Sequence, residues 1–390
     1  MPLALFALAI GAFGIGLTEF VVAGILPQIA DGFGVDIPTA GLMATTYALG
    51  VFVGAPVLTV IGGRFPRKSL LIGLAFIFTL GNVITAIAPT LNIALLGRVI
   101  TSFNHGAFFG IGSIIAASLV APGRQASAIA FMFSGLTLAN LLGVPAGTWL
   151  AQAYGWRLVF WAIAGIGLVT MACIALLVPH IKKGPAIALR TELRAFIDPQ
   201  VLLAMGITVF GPAAFFTSIT YIAPMMTGEA GFSDAQVAGL MVLFGLGLAV
   251  GNGIGGRFAD RSLFGTLYAT LAAQGMVLLV FWIGAGNGIV ASVCVFLMAA
   301  FGFATVSPIQ KLVMDRASRA GAPTMAASVN IGMFNLGNAL GAWAGGVTIA
   351  AGFGLASPNW AGAALSFIAL GLAILAQFSA RNAPVQLATE

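Results

Sequence analysis

Apolar residues run along this chain in stretches of about twenty, each closed by a short polar break. The runs lie near Leu3–Leu26, Thr39–Ile61, Ser69–Ala88, Leu91–Ala117, Ala126–Leu150 and Leu158–Val178. After a polar stretch they resume near Gln200–Met225, Gln236–Ile254, Phe264–Ile283, Ile289–Val306, Thr324–Thr348 and Asn359–Phe378. A helix of this length crosses roughly 30 Å of hydrocarbon while satisfying its own backbone hydrogen bonds. The period-2 alternation of a β-barrel is missing. The pattern therefore predicts an all-α membrane protein of twelve transmembrane helices. The first run lacks a basic leader and passes Glu19 without a small-residue cleavage site, so it is expected to be a retained span.

Composition agrees, because 60% hydrophobic and 7% charged residues in 390 cannot cover a water-facing surface. Counting twelve spans from a cytoplasmic N-terminus places fourteen of the sixteen basic residues on the cytoplasmic side, all but Arg98 and Arg157. Asp31, Asp36, Glu229 and Asp234 fall on the opposite side. The net charge of +6 is thus a topology signal, with both termini cytoplasmic, and does not indicate nucleic-acid binding.

The second half repeats the first at a shift of about 197 residues. Leu138, Asn140, Leu142, Gly143, Ala146 and Gly147 recur as Leu336, Asn338, Leu340, Gly341, Ala344 and Gly345. Gly50, Val53, Gly54 and Arg64 recur as Gly247, Val250, Gly251 and Arg261. The expected organisation is a six-helix bundle over 1–179, a cytoplasmic linker over 180–199 and a second bundle over 200–390. Parallel-related bundles leave a cavity between them that can open to either side by rocking.

Three motifs carry a family resemblance. Gly256-Arg257-Phe258-Ala259-Asp260-Arg261 has the form of a loop signature whose first-half copy is degraded, with Thr59 and Gly63 in the Gly and Asp positions ahead of Arg64, Arg67 and Lys68. Gly135, Gly143, Pro145 and Gly147 surround Asn140 in the fifth run, and Gly155-Trp156-Arg157 opens the sixth. In these features the chain resembles the major facilitator superfamily, in its twelve-span drug:proton antiporter and sugar-efflux branch. The resemblance implies alternating access, export as the favoured direction, a bacterial inner membrane, and a cavity lined by helices 1, 4, 7 and 10. The small residues of helices 5 and 11, Gly341 included, are also explained by close helix packing. Trp156 and Arg157 are expected to anchor at the membrane interface.

Ionisable groups inside hydrocarbon are costly and point to function. Glu19 and Arg98 each lie about seven residues from the same end of their runs, roughly 10 Å deep. His105 follows Arg98 by two turns, with Ser102 between, so the three share a face. Glu19 is the expected proton carrier, with Arg98 as its neighbour and His105 as the alternative. A fixed Glu19–Arg98 pair with no part in coupling is the competing explanation. Phe215, Phe216, Tyr221 and Tyr47, with the amides Asn104, Asn330 and Asn335, are expected to line a cavity suited to a moderately hydrophobic drug, a sugar or a nucleoside. Each aromatic taken singly is more readily explained by packing. Asp315 with Lys311, Arg316 and Arg319 reads as a solvated loop.

The proton is the expected coupling ion and no other cofactor is expected. Cys173, Cys294, His105 and His180 form no metal-ligand spacing, and no phosphate-binding Gly-rich Lys-Ser/Thr loop is present. An importer or uniporter on the same fold remains open, and a membrane enzyme or channel ranks last. A monomer in contact with lipid and a small-molecule substrate is expected.

Overall fold

The computed structural model describes residues 2–62, 65–121, 124–180, 196–320 and 326–382. Among these, eleven helices are long and apolar enough to cross a membrane. They are α1 (Leu3–Phe33), α2 (Ile37–Gly62), α3 (Arg67–Ile87), α4 (Leu91–Ser118), α5 (Ser127–Tyr154), α6 (Trp156–Leu177), α7 (Pro199–Ile219), α8 (Asp234–Arg261), α9 (Leu263–Gly284), α10 (Gly288–Arg319) and α12 (Ser357–Ser379). Between the last two lies α11 (Ala326–Ala350), 25 residues long, an apolar helix interrupted by Asn330, Asn335 and Asn338. Arg64 and most of the expected linker, with Lys182, Lys183, Arg190 and Arg194, lie outside the described residues.

Helix ends differ from the hydrophobic runs where capping decides them. α1 continues past Leu26 to Phe33, because Pro27 sits inside the helix without ending it and Gly34, at φ 65°, supplies the left-handed stop. Its N–H bonds back to the carbonyls of Ala30 and Asp31. Asp36 then caps the next helix, accepting the Thr39 N–H at 2.9 Å. Hydrogen bonds from the Thr39 side chain and backbone hold the Asp36 carboxyl below the usual carboxylate range.

Two expected spans are interrupted. α5 contains a π-turn over Ala139–Gly143, just before Pro145. Proline has no N–H to give the carbonyl four residues earlier, and the widened turn absorbs the lost register. α7 stops at Ile219, and Tyr221 begins a separate short helix, Ile222–Gly228. Conversely, α10 does not stop at Val306. It breaks locally at Thr305 and continues as helix to Arg319, so Lys311, Asp315, Arg316 and Arg319 stand on a helix and the loop expected there is corrected.

The packing pairs recur at a shift of six helices. α1 packs on α5 and α6, α2 on α4, and α3 on α4 and α6; correspondingly α7 packs on α11 and α12, α8 on α10, and α9 on α10 and α12. Between the two sets, α2 meets α11 and α5 meets α8. Glycines make the closest pairings possible. A Cβ on Gly337, Gly341 or Gly345 of α11 would collide with the carbonyls of Val209, Ala213 or Thr217 of α7, and Gly247, Gly251 and Gly255 of α8 stand likewise against α10.

Successive spans alternate in direction. Arg67, Arg257, Lys311, Arg316 and Arg319 therefore collect at one end of the bundle and Asp31, Asp36, Glu229 and Asp234 at the other, called below the basic end and the acidic end.

Candidate functional site

Halfway along α1, a carboxyl sits where the two sets of helices meet. The Glu19 oxygen Oε1 accepts from Asn338 Nδ2 of α11 at 3.4 Å. The other oxygen, Oε2, lies 3.9 Å from His105 Nδ1 of α4. That same nitrogen is 3.1 Å from the Tyr47 hydroxyl of α2. One imidazole nitrogen thus faces two partners. It can accept from Tyr47 or, carrying a proton, donate toward Glu19. Four helices contribute to one chain of polar contacts: Tyr47, His105, Glu19 and Asn338.

Arg98 does not complete the pair expected for it. Among the described residues, the ionic contact of Glu19 is with His105 and not with Arg98. The guanidinium, fully buried, donates from Nε to the Met43 carbonyl at 3.1 Å and from Nη1 to the Thr18 carbonyl and hydroxyl at 2.9 and 3.0 Å. Its carbon lies 4.3 Å from the centroid of the Tyr47 ring. Thr18 in turn donates to Asn82 Oδ1 of α3 at 3.0 Å, and Asn82 is held by its own Nδ2 bond to the Phe78 carbonyl at 2.8 Å. Arg98 therefore grips the backbone of α1 and α2 immediately beside Glu19, and acts on the carboxyl through space.

Against the polar chain stands an aromatic cluster. Phe20, next to Glu19, packs on Phe216 of α7, Phe244 of α8 and Phe303 of α10 with centroids 5.8, 6.0 and 6.0 Å apart. Phe215 stacks on Phe244 at 5.9 Å. The interface between the two helix sets is thus polar on one flank and aromatic on the other.

A profile of the Major Facilitator Superfamily matches residues 8–342. The chain belongs to that superfamily. It is 48% identical over 381 residues to the Inner membrane transport protein YdhP of Escherichia coli (strain K12), covering 97% of this chain and 96% of that protein. It is 34% identical over 378 residues to the Chloramphenicol resistance protein of Streptomyces lividans, covering 95% of each. The crystal structure of a bacterial homolog of the human lysosomal transporter Spinster, inward-facing and occupied, matches with a TM-score of 0.73 at 17% identity over 96% of both chains, a likeness of fold. The protein is a multi-pass membrane protein of a transporter superfamily.

Other residues expected at the site of this facilitator are placed elsewhere. Ser102 turns to its own helix, donating to the Val99 carbonyl at 2.6 Å, and its hydroxyl fills the space over Gly50 of α2. Tyr221 lies toward the acidic end, its hydroxyl donating to the Ala342 carbonyl at 2.8 Å. Asn330 accepts from Thr208 of α7 at 2.9 Å and donates to Gln310 of α10, a separate polar group within the second set of helices. Asn335 donates to the Ile331 carbonyl of its own helix at 2.9 Å, while Asn104 is buried with Oδ1 unpartnered among the described residues.

The signature motifs act in packing. Gly135 stands against the α1 backbone at Ala9, and Gly143 and Gly147 against Phe13, Leu17 and Val21. Asn140 donates to the Leu136 carbonyl at 3.0 Å inside the π-turn, whose backbone lies against Gly245 of α8. Gly256, Asp260 and Arg261 belong to the last turns of α8, helix where a loop was expected, and Asp260 pairs with Lys311 at an exposed 3.2 Å. Arg67 opens α3. Trp156 corrects its expected role as a lipid-interface anchor. It is 4% exposed and packs on Phe33 at 5.0 Å, with Arg157 stacked on it and bonded to the Ala88 carbonyl at 3.0 Å.

Asn338 and Asn82 are the residues sequence reasoning missed as parts of the site. Asn338 was marked by the repeat, though only as packing. Nothing in the pattern marked Asn82.

Proposed function

We propose that this protein is a proton-coupled exporter of small, moderately hydrophobic molecules, working by alternating access between two six-helix halves. Twelve spans are counted with α11 included. The basic end faces the cytoplasm of a bacterial inner membrane by the positive-inside rule, as do both termini.

The observation that carries the reading is the position of Glu19. Its carboxyl touches His105 of the first half and Asn338 of the second, so its charge bears on the contact between the halves. A carboxylate in apolar surroundings costs several kcal/mol unless paired or solvated. Gain or loss of one proton there is therefore large enough to favour one arrangement of the halves over another. His105 and Tyr47 supply a short path for that proton. Export, and a drug-like substrate against the Phe20, Phe216, Phe244 and Phe303 rings, are supported by the chloramphenicol-resistance relative and by the antiporter-like Gly135–Gly147 segment.

The test is transport of labelled chloramphenicol, sugars and nucleosides in proteoliposomes under an imposed pH gradient, wild type against Glu19→Gln. The proposal expects one compound to move against its gradient in the wild type, and Glu19→Gln to exchange it without proton-driven accumulation. Normal pumping by Glu19→Gln removes the assignment to Glu19 and leaves His105. Accumulation in the direction of the proton flow would make the protein an importer.

A further inference from the structure

We infer that Asn338 reads the protonation state of Glu19 and transmits it to the second half of the molecule. The inference rests on the proton-coupled reading above and adds the residue through which coupling passes.

Asn338 is fully buried. Its amide nitrogen donates to Glu19 Oε1, and its Oδ1 has no partner among the described residues. A buried carbonyl oxygen left unpaired is uncommon, because it forfeits the bonds it made to water. Here the spare acceptor has a use. An ionised carboxylate only accepts hydrogen bonds, whereas a protonated carboxyl also donates one. The amide can meet either state, presenting its N–H₂ to the carboxylate or, turned about its terminal bond, its Oδ1 to the acid O–H. No apolar side chain can answer either state, and no pure acceptor can answer both.

What makes the turn of one amide matter is the helix that carries it. Gly337 and Gly341, on either side of Asn338, hold the α11 backbone against Val209 and Ala213 of α7. A shift of Asn338 is therefore a shift of α11 and α7 together. Two turns earlier on α11, Ile331 packs on Val51 and Ala55 of α2, the face along which the halves meet.

The groups that share this pocket are few. His105 and Arg98 face Glu19 from α4 and Tyr47 from α2. α11 has no charged residue, α5 none in its membrane-crossing part, and α6 and α8 keep theirs, Arg157, Asp234, Arg257, Asp260 and Arg261, at their ends. Asn338 is accordingly the polar contact of Glu19 from the second half.

The test needs no transported compound. Ile331→Cys, in a chain whose Cys173 and Cys294 are replaced by Ala, reports separation of the halves through its rate of thiol labelling in liposomes across pH. The ionisation of Glu19 is followed in parallel by the infrared carboxyl band that Glu19→Gln removes. With Asn338 present, labelling should follow the Glu19 band. With Asn338→Leu, the pH-dependent change in labelling should fall by about tenfold, the size of an ordinary coupling between sites, and Asn338→Thr, whose hydroxyl can donate or accept a hydrogen bond, should restore part of it. Labelling that tracks pH as before in Asn338→Leu overturns the inference and leaves Glu19 coupling intact. Labelling that tracks pH in Glu19→Gln removes the assignment to Glu19, and the inference with it, and labelling that never varies with pH overturns the proton-coupled reading itself. Should Asn338→Leu not fold, Asn338→Asp decides. An added acid beside Glu19 must displace the midpoint of labelling, and an unmoved midpoint rejects the role.

Discussion

Tyr221 stands directly over Gly41. A side chain at Gly41 of α2 would collide with the Tyr221 hydroxyl, which itself donates to Ala342 of α11 at 2.8 Å, and the same ring covers Gly345 and Gly346. One aromatic peg from the second half thus fills a glycine-lined socket shared by α2 and α11 at the acidic end. Removing it forfeits a hydrogen bond of about 1 kcal/mol and the burial of a large ring worth a further ~2 kcal/mol. Tyr221→Ala should therefore loosen the acidic end, seen as amide hydrogen exchange at least about tenfold faster over residues 37–47. Gly41→Val should do the same by excluding the ring. Unchanged exchange in both variants would show that the peg does not hold this end closed.

The basic end has its own closure between the same two helices. Ser328 of α11 donates to the Ala55 carbonyl of α2 at 2.9 Å, and its oxygen lies 2.7 Å from that of Thr59. α2 and α11 are therefore held near both ends, by direct hydrogen bonds at the basic end and through Tyr221 at the acidic end. In an alternating-access protein the two closures oppose one another, so weakening either shifts the population toward opening on that side. Ser328→Leu should raise exchange over residues 52–61 and lower it over 37–47, and Tyr221→Ala should give the reverse pattern. Parallel changes at both ends would argue that the variants only destabilise the bundle.

Arg98 offers a test of geometry against charge. Its fork bonds two backbone carbonyls and one hydroxyl while its carbon lies over the Tyr47 ring. Lysine keeps the charge and loses both the planar fork and the stacking. Arg98→Lys should lower stability by about 1–3 kcal/mol and displace Thr18, hence Glu19, so that proton-driven accumulation falls even in protein that survives purification. Thermal unfolding in detergent, paired with the proteoliposome assay, checks both. A lysine variant with wild-type unfolding and accumulation would mean that a positive charge alone suffices there.

Much of this architecture could be read from the chain because lipid leaves so few ways to bury a backbone. Runs of about twenty apolar residues must be helices, and eleven described helices meet that description. The run at Thr324–Thr348 was read from the same pattern although Asn330, Asn335 and Asn338 interrupt it, and the recurrence of Asn140 and Gly143 as Asn338 and Gly341 agrees with it. The site was harder to read. Sequence depth brought Glu19 and Arg98 level, but α1 runs seven residues beyond Leu26, and the arginine meets the carbonyls of Met43 and Thr18 instead of the carboxyl. A backbone carbonyl has no sequence signature, so a cation satisfied by carbonyls looks identical to one awaiting a partner. Helical phase placed Arg98, Ser102 and His105 on one face, and all three do face α2, but Ser102 is taken up over Gly50 with its hydroxyl bonded to the Val99 carbonyl. His105 and Asn338 are brought to Glu19 by close helix contact, which depends on which glycines find which neighbours.

Those glycines can be told apart. At Gly341 a methyl group would strike the Ala213 carbonyl, a backbone atom that cannot rotate away, so α7 and α11 would have to separate. At Gly371 of α12 nothing lies within 4 Å of the same methyl. Both positions are mid-helix, where alanine gains roughly 0.5–1 kcal/mol over glycine by losing less chain entropy. Gly371→Ala should consequently raise the unfolding midpoint slightly. Gly341→Ala should lower it, because overpacking costs about 1–3 kcal/mol and exceeds the helix gain. Since Gly341 neighbours Asn338, the same variant should also push α11 away from α7 and blunt the pH response of thiol labelling at Ile331→Cys, whereas Gly371→Ala should leave it as in the parent chain. Equal midpoints for the two alanine variants would mean that the α7–α11 contact is looser than its backbone spacing implies, and with it the rigid link from Asn338 to the second half.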